Sequence, residues 1–413
     1  MDETKQLNPY CRITTQEDLV QVMKLWETCF DDTMKFVLWY FTCYWKPEHT
    51  LGIFETKKDA EVLLASAQVI PYELHVRDAA LSCGYIVGVD TAPEARNRGY
   101  ARWLMQECLQ LQRKRGECIS LLMPFEGQFY YRYGWPFCYF HQRIITDAKE
   151  LRCAAKAWGT VRRVNLYEAQ EAMQKIYEIF TKQYHGTVNR TVEQWRLQLE
   201  DAQMENTVCF LIEDDANQAQ GYFMWTPLKG KCYVREIAWC HERAKAGMLY
   251  YLMQNVSESD KIWLELPEDD SMKYQMAASK TDIVLYPFLM ARIVDVKQCL
   301  EQLSYSATST EVVLRVQDEF ALWNTGSFYI SVHDGTACVS LLSVAEEMEI
   351  LSKDVPEGAL TIDALSQLVM GTKDAEDLWQ QELLSCEIGM KERLVSALQE
   401  LWPKQQTYIN EYY

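Results

Sequence analysis

Two stretches of this chain repeat one order of elements, a β-rich run, a polar loop, an amphipathic helix and a second buried run: Gly84 to Met123 and, as a weaker copy, Cys232 to Leu266. A unit that recurs at similar spacing points to a duplicated fold. Ahead of the first copy, Thr15 and Asp18 stand at capping-box spacing, and Leu19, Val22, Met23, Trp26 and Phe30 recur at helical intervals, so a helix of about four turns opens the protein. Leu51 to Phe54, Val62 to Pro71 and Gly84 to Val89 are β-rich runs separated by charged turns, as in an antiparallel meander. A helix with Ala101, Leu104, Met105, Cys108 and Leu111 on one face follows, ending in the cationic stretch Arg113 to Gly116. Cys118 to Met123 is a buried strand closed by Pro124. The first 145 or so residues thus read as an α+β domain.

Tyr167 to Leu199 reads as helical and linking, and from about Phe288 the pattern changes to strands Glu311 to Val316, Gly326 to Val332 and Ala337 to Leu342, with helices around Thr361 to Met370 and Glu387 to Leu401. For a chain of 413 residues this implies three domains, at 1–150, 151–287 and 288–413. Hydrophobic residues make up 48% and charged residues 24%, which excludes a disordered chain. With 41 Lys plus Arg against 59 Asp plus Glu, the formal charge of -18 repels phosphate backbones and anionic membranes, so neither nucleic acid nor membrane is an expected partner. The densest apolar stretch, Phe36 to Trp45, is too short for a membrane helix of about 18 to 20 residues, and Met1 to Tyr10 has no apolar signal core; a cytoplasmic location is expected. The 14 cysteines are scattered without a Cys-x-x-Cys pair, so neither a disulfide framework nor a metal site is expected.

The segment that carries chemistry is Val87-Gly88-Val89, the loop from Asp90 to Ala95, and then Arg96-Asn97-Arg98-Gly99-Tyr100-Ala101 opening the amphipathic helix. A helix start presents unpaired N–H groups and partial positive charge; Gly99 and Ala101 offer little bulk where a phosphate would approach, and Arg96 and Arg98 add charge. This reads as a diphosphate cradle after a strand. The plain alternative is a basic surface turn capping a helix. Neither a G-x-x-x-x-G-K-[ST] nor a G-x-G-x-x-G pattern is present.

Arg96, Gly99 and Ala101 satisfy [RQ]-x-x-G-x-[GA], and the segment resembles the acetyl-CoA loop of the GNAT acetyltransferases. Phe129-Tyr130-Tyr131-Arg132-Tyr133-Gly134-Trp135 is similar to a Y-x-R-[FY]-G-[FYW] segment of one branch, the Eis-type (enhanced intracellular survival) enzymes. The resemblance extends to Ile70-Pro71-Tyr72-Glu73-Leu74, to Arg190–Arg196 around Trp195, to Met290-Ala291-Arg292-Ile293-Val294-Asp295 and to an aromatic last residue. It implies two tandem GNAT folds, the second degenerate, followed by a sterol-carrier-protein-like α+β domain. It also implies acetyl-CoA as cosubstrate, held by the backbone of Val87 and Val89 and at its diphosphate by Arg96, Arg98, Gly99 and Ala101. Tyr130 takes the place of the general acid that protonates the departing thiolate; the alternative for it is a packed core aromatic.

Phe30, Asp31, Asp32, Phe36 and Trp39 lie where the family has the walls of its amine pocket, an acidic aromatic surface suited to cationic amines, though plain core packing also accounts for such residues. The second copy's loop, Cys240 to Gly247, lacks the arginine-to-glycine spacing and carries Glu242, so it reads as a repeat that does not bind. Tyr408, Tyr412 and Tyr413 crowd the C-terminus, and the resemblance places the carboxylate of Tyr413 in the first domain's active site, as proton acceptor or as an electrostatic anchor; a frayed terminus is the alternative. The expected function is N-acetyl transfer to a primary amine, an aminoglycoside, polyamine or lysine-bearing peptide, and the resemblance implies a homohexamer. The competing reading is a non-catalytic lipid- or acyl-binding protein on a relic fold.

Overall fold

In the computed structural model, which describes residues 9–57, 60–276, 280–307 and 309–412, the chain divides into two units. One runs to Cys138 and takes in Leu289–Gln405 and Tyr412; the other comprises Tyr139–Phe288 and Gln406–Glu411.

The first unit begins with β1 (Tyr10–Ile13), α1 (Leu19–Cys29), α2 (Met34–Cys43), β2 (Thr50–Lys57), β3 (Ala60–Val76), β4 (Ala79–Thr91), α3 (Tyr100–Arg115), β5 (Ile119–Leu122) and α4 (Gly127–Tyr131). Strands β1 to β4 form the antiparallel meander, and β5 joins β4 in parallel, as a crossover through α3 requires. The Thr15–Asp18 capping box is present, with Asp18 also paired to Arg12 at 2.7 Å, although the helix behind it has only 11 residues. Of the residues marked as core, Val22 and Trp26 of α1 and Leu104, Met105 and Cys108 of α3 are buried, whereas Leu19, Met23, Phe30, Ala101 and Leu111 are half-buried; Leu25 and Leu109, which were not marked, are buried with them. Gly116 closes α3 in the left-handed region at φ 74°, where its N–H reaches the carbonyls of Gln112 and Arg113. Strand β1 and helix α2 were not expected. The α2 sequence, MKFVLWYFTC, is apolar almost all round and rich in strand-forming residues, so no periodicity marks it; its start is fixed by Thr33, which accepts from the N–H of Phe36 at 3.3 Å.

The second unit holds β6 (Phe137–Asp147), β7 (Thr160–Val164), α5 (Leu166–Thr181), β8 (Thr187–Val188), α6 (Val192–Met204), β9 (Val208–Glu213), β10 (Ala219–Leu228), β11 (Lys231–Trp239), α7 (Glu242–Asn255), β12 (Lys261–Pro267) and α8 (Met272–Gln275). Its sheet runs β7-β9-β10-β11-β12-β6. As in the first unit, a parallel pair, β11 with β12, is bridged by a helix, α7. The stretch Tyr167 to Leu199 is largely helical, as expected, but it is no mere link: Met173, Ile176 and Phe180 of α5 and Trp195 and Leu199 of α6 are buried in this unit's core.

After β13 (Thr281–Ile293) come α9 (Val296–Gln302), β14 (Ser309–Gln317), β15 (Gly326–His333), β16 (Thr336–Leu341), α10 (Val344–Leu351), β17 (Glu357–Thr361), α11 (Ile362–Met370), α12 (Ala375–Gln380), β18 (Leu384–Ser385) and α13 (Lys391–Leu401). Their five-stranded sheet runs β16-β15-β14-β17-β18. This region is built onto the first. Met290–Ile293 pair antiparallel with Ile119–Leu122 of β5. Arg77, in a left-handed turn at φ 49°, donates to the carbonyls of Val369 (2.8 Å), Leu368 (3.0 Å) and Pro403 (3.0 Å), at and just beyond the C-terminal ends of helical segments. Burial lowers its guanidinium to about 10. Among the described residues no helix is long and apolar enough to cross a membrane.

Candidate active site

Parallel pairing of β4 with β5 stops at Ile86↔Leu122, but β4 continues to Thr91. On its other side, pairing with β3 passes from Gln68↔Val87 to Ser66↔Asp90, so Gly88 and Val89 together face one residue, Ala67. This is a β-bulge, and it turns β4 away from β5. Gly88 makes it possible on two counts: its φ is 60°, and a Cβ there would stand 2.3 Å from the ring of Trp26. The result is a length of backbone, Val87–Val89, with an open edge beside the end of β5.

Asp90 fixes the bulge. Its Oδ1 accepts from both the N–H and the Oγ of Ser66 at 2.8 Å, replacing a ladder bond, while among the described residues its buried Oδ2 has no partner. Burial, opposed by the two Ser66 hydrogen bonds, raises this carboxyl to about 8. The unfolded chain gives up the proton near pH 4 and the folded protein keeps it to about pH 8, so stability from this residue is lost as the pH rises through that window. Asp90→Asn, a neutral isostere, is expected to melt several degrees above the wild type at pH 8 and level with it at pH 4; parallel melting curves at the two pH values check this.

Beyond Thr91, a 3-10 turn (Pro93–Ala95) leads to Arg96, to Asn97 at φ 62° and to Gly99 at φ 81°, which starts α3. No side chain caps α3, and a Cβ at Gly99 would meet nothing within 4 Å. The glycine is therefore required by its backbone angle, whereas the sequence suggested a need for space; the space before the helix is open in either case. Arg96 donates through Nε to Thr91 O at 3.3 Å, and Arg96 and Arg98 are both exposed. Ala101 lies in the first turn, and next to it exposed Arg102 adds a third guanidinium that sequence reading passed over. An uncapped N-terminus with three cations beside it is suited to a phosphate anion.

Tyr130 lies in α4, one residue before its end, and is 4% exposed. Burial, with a smaller contribution from Cys108 on α3, pushes its phenol up to about 12, so the hydroxyl is a proton donor at neutral pH. The rest of its segment is structural. Tyr130 O accepts from the N–H groups of Tyr133 (3.0 Å) and Trp135 (3.3 Å). Gly134 sits at φ 85°, where a Cβ would stand 2.8 Å from Arg292 Nη1. Fully buried Arg292 donates to Tyr133 O and pairs with Asp318, and Tyr133 packs on Phe320 with ring centroids 4.6 Å apart. The region after β13 thus buttresses the loop that carries Tyr130.

Opposite the bulge stands an aromatic layer. Trp26 packs on Phe30 (4.6 Å) and Tyr40 (4.8 Å), Phe36 on Tyr40 (5.8 Å) and Trp39 (5.8 Å). Asp32 accepts from Trp26 Nε1 at 2.9 Å, and Tyr40 donates to Gln68, the partner of Val87, at 3.1 Å. Phe30, Phe36 and Trp39 are half-buried, while Asp31 and Asp32 are exposed. The structure therefore gathers Phe30, Asp32, Phe36 and Trp39 around Trp26, which the sequence marked only as the core of a helix, and Tyr40, which it passed over. A lone glycine between two valines in a strand pattern was the one available signal for the bulge.

The second copy has its counterpart of the loop closed. His241 Nδ1 accepts from Ala244 N at 3.2 Å, capping α7, and Lys245 is turned inward to Asp270 at 2.5 Å. The tail residues Tyr408, Ile409, Asn410 and Glu411 are buried in this unit rather than frayed; Tyr413 lies outside the described residues.

A splayed parallel pair with a bulge at the opening and an uncapped helix start beside it defines a GNAT-type transferase fold. The family model of the GNAT acetyltransferase domain matches residues 11–138, a second GNAT acetyltransferase model matches 186–293, and the sterol carrier protein domain model matches 296–410. The chain belongs to the GNAT acetyltransferases, with two GNAT domains followed by a sterol carrier protein domain. No curated protein sequence matches it. Among solved structures, a probable N-acyltransferase from Enterococcus faecalis is similar over 98% of this chain and 100% of its own, with TM-score 0.83 and 19% identity. A GCN5-related N-acetyltransferase from Anabaena variabilis covers the same shares at TM-score 0.81 and 19% identity. Eis1 from Mycobacterium abscessus also does so, at TM-score 0.75 and 17% identity. At such identities the likeness is one of fold.

Proposed function

We propose that this acetyltransferase moves an acetyl group from acetyl-CoA to a primary amine, by direct attack on the thioester in its first domain, residues 1–150. The observation that carries the reading is the juxtaposition of an open-edged strand, Val87–Val89, with the uncapped start of α3 and an aromatic layer bearing Asp32. The backbone of Val87 and Val89 holds the pantetheine arm, and a backbone N–H there polarises the carbonyl. Arg96, Arg98, Gly99 and Ala101 receive the diphosphate. The amine nitrogen forms its bond to the acetyl carbon, the C–S bond breaks, and the thiolate takes the proton of Tyr130 Oη. Phe30, Asp32, Phe36 and Trp39 receive the amine, by cation–π contact and charge. The carboxylate of Tyr413 takes the proton of the substrate ammonium, which frees the nitrogen lone pair for attack, or, where that proton passes to solvent, orients the cationic amine beforehand. The region 151–287 and the body of 288–413 serve as scaffold, the latter ending in the tail that brings Tyr413 to the site, and the assembly is a homohexamer.

An acetyl-CoA turnover screen against aminoglycosides, polyamines and lysine peptides, read by thiol release, tests the reaction; no release with any amine would favour the non-catalytic reading. Replacing Arg96 and Arg98 together with Ala removes two charge-assisted contacts, each worth roughly 1.5 to 3 kcal/mol when formed and less where water screens them. CoA affinity by calorimetry is expected to fall at least tenfold; an unchanged Kd would put the cradle elsewhere.

A further inference from the structure

The two GNAT copies splay at the same point. In the first, the parallel pair ends at Ile86↔Leu122 and the bulge follows at Gly88–Val89. In the second, β11 and β12 part at Val234↔Leu264, and the bulge against β10 follows at once, where Met224↔Glu236 and Trp225↔Val234 leave Arg235 unopposed. Arg235–Glu236 is therefore the counterpart of Gly88–Val89, the stretch assigned above to pantetheine.

In the second copy this stretch already has a ligand. Asn410 Nδ2 donates to the carbonyl of Arg235, at the bulge, at 3.4 Å, and to Glu236 Oε2 at 2.7 Å. One residue earlier, Ile409 O accepts from His141 Nε2 at 2.7 Å; His141 belongs to β6, which pairs with β12 beyond the splay at Pro267. The tail thus spans the opening between β11 and the β12–β6 pair. It is held from behind as well, since His185 N donates to Gln406 O (2.8 Å) and Tyr408 N to His185 O (3.1 Å).

Arg190 locks the arrangement. Its side chain is fully buried; Nη1 and Nη2 grip Glu236 at 3.0 and 2.9 Å, and Nε donates to Glu411 at 2.7 Å. Its guanidinium lies over the rings of Tyr177 (4.2 Å) and Trp195 (4.7 Å), while Tyr222 donates to Glu236 and Gln198 to Glu411. One cation shared by two buried carboxylates is a costly arrangement unless geometry and further hydrogen bonds satisfy all three groups, as they do here. Nothing in the sheet of the second unit needs Glu411 for that purpose, because Arg190 and Glu236 already pair.

We propose that the second GNAT fold is a receptor for its own chain, with Thr407–Glu411 seated where the first fold takes pantetheine, and that Arg190 is the positioning residue that anchors the C-terminus through Glu411. Any effect on turnover rests on the role given above to the Tyr413 carboxylate, two residues further on.

The test uses the full-length chain. Arg190→Met strands two buried carboxylates and can prevent folding, so the decisive variant is Glu411→Ala, which leaves Arg190 paired with Glu236. Amide hydrogen exchange at Tyr408 and Ile409, and release of C-terminal residues by carboxypeptidase, are both expected to accelerate at least tenfold, with near-wild-type melting and CoA Kd. Wild-type exchange and release rates in Glu411→Ala would overturn the anchor. Calorimetry with CoA is expected to give one site per wild-type chain; two equivalent sites would show the second slot open and overturn the receptor. Faster exchange together with wild-type kcat would keep the receptor and remove the Tyr413 carboxylate from the mechanism.

Discussion

Adding a few residues after Tyr413 is expected to abolish turnover, at least 10²-fold in kcat, while CoA binding and the melting temperature stay at wild-type values. The expectation follows from the proposed role of the terminal carboxylate, since an extension converts it into a neutral peptide carbonyl and leaves every other group in place. A free α-carboxyl titrates near 3.5 and is a feeble base in water; desolvation raises such a value, and a bridging water can relay a proton. The preceding residues argue against a terminus that tolerates change. Tyr408 is 5% exposed and Glu411 1%, and an ion pair fixes Glu411 at 2.7 Å. A short extension leaves that segment seated, so the experiment reads the carboxylate alone. Wild-type thiol release from the extended chain would remove Tyr413 from the mechanism.

Tyr130→Phe is expected to lower kcat by about 10²-fold or more with CoA affinity unchanged, the signature of a lost general acid. The substitution keeps the ring and its edge-on contacts with Phe125 and Phe129, so the loop should hold its shape. Because burial pushes the phenol up to about 12, the wild-type acid stays protonated throughout the pH range in which amines are good nucleophiles. Its loss should therefore lower kcat evenly across pH 7 to 10, without a new inflection. Equal kcat for the variant and the wild type would make Tyr130 a core aromatic.

Much of the first domain was legible because its signals are local. The capping box at Thr15–Asp18, the periodic face of α3 and the Gly116 stop each lie within one or two helical turns, where spacing alone decides which atoms meet. The loop from Arg96 to Ala101 was legible for the same reason, since an uncapped helix start and its neighbouring cations are sequence neighbours. Helix α2 was not legible, because a run of Phe, Val, Leu, Trp and Tyr that packs on several sides shows no period. The Tyr167–Leu199 stretch read as a link because its helices are amphipathic in isolation, and only their burial shows that they complete a core.

By itself, then, the sequence determined the duplicated strand–helix–strand order, the arginine- and glycine-bearing start of α3 and the aromatic Tyr130 segment. Tertiary structure decided the rest. It placed Trp26 against Gly88 so that the bulge has an aromatic wall, and it replaced a ladder bond with the buried Asp90 carboxyl group. It also set Arg292 and Phe320 behind the Tyr130 loop and closed Arg190 on Glu411, 221 residues away. Contacts of that separation depend on which surfaces the folded sheets bring together, and no short-range period in the chain encodes them.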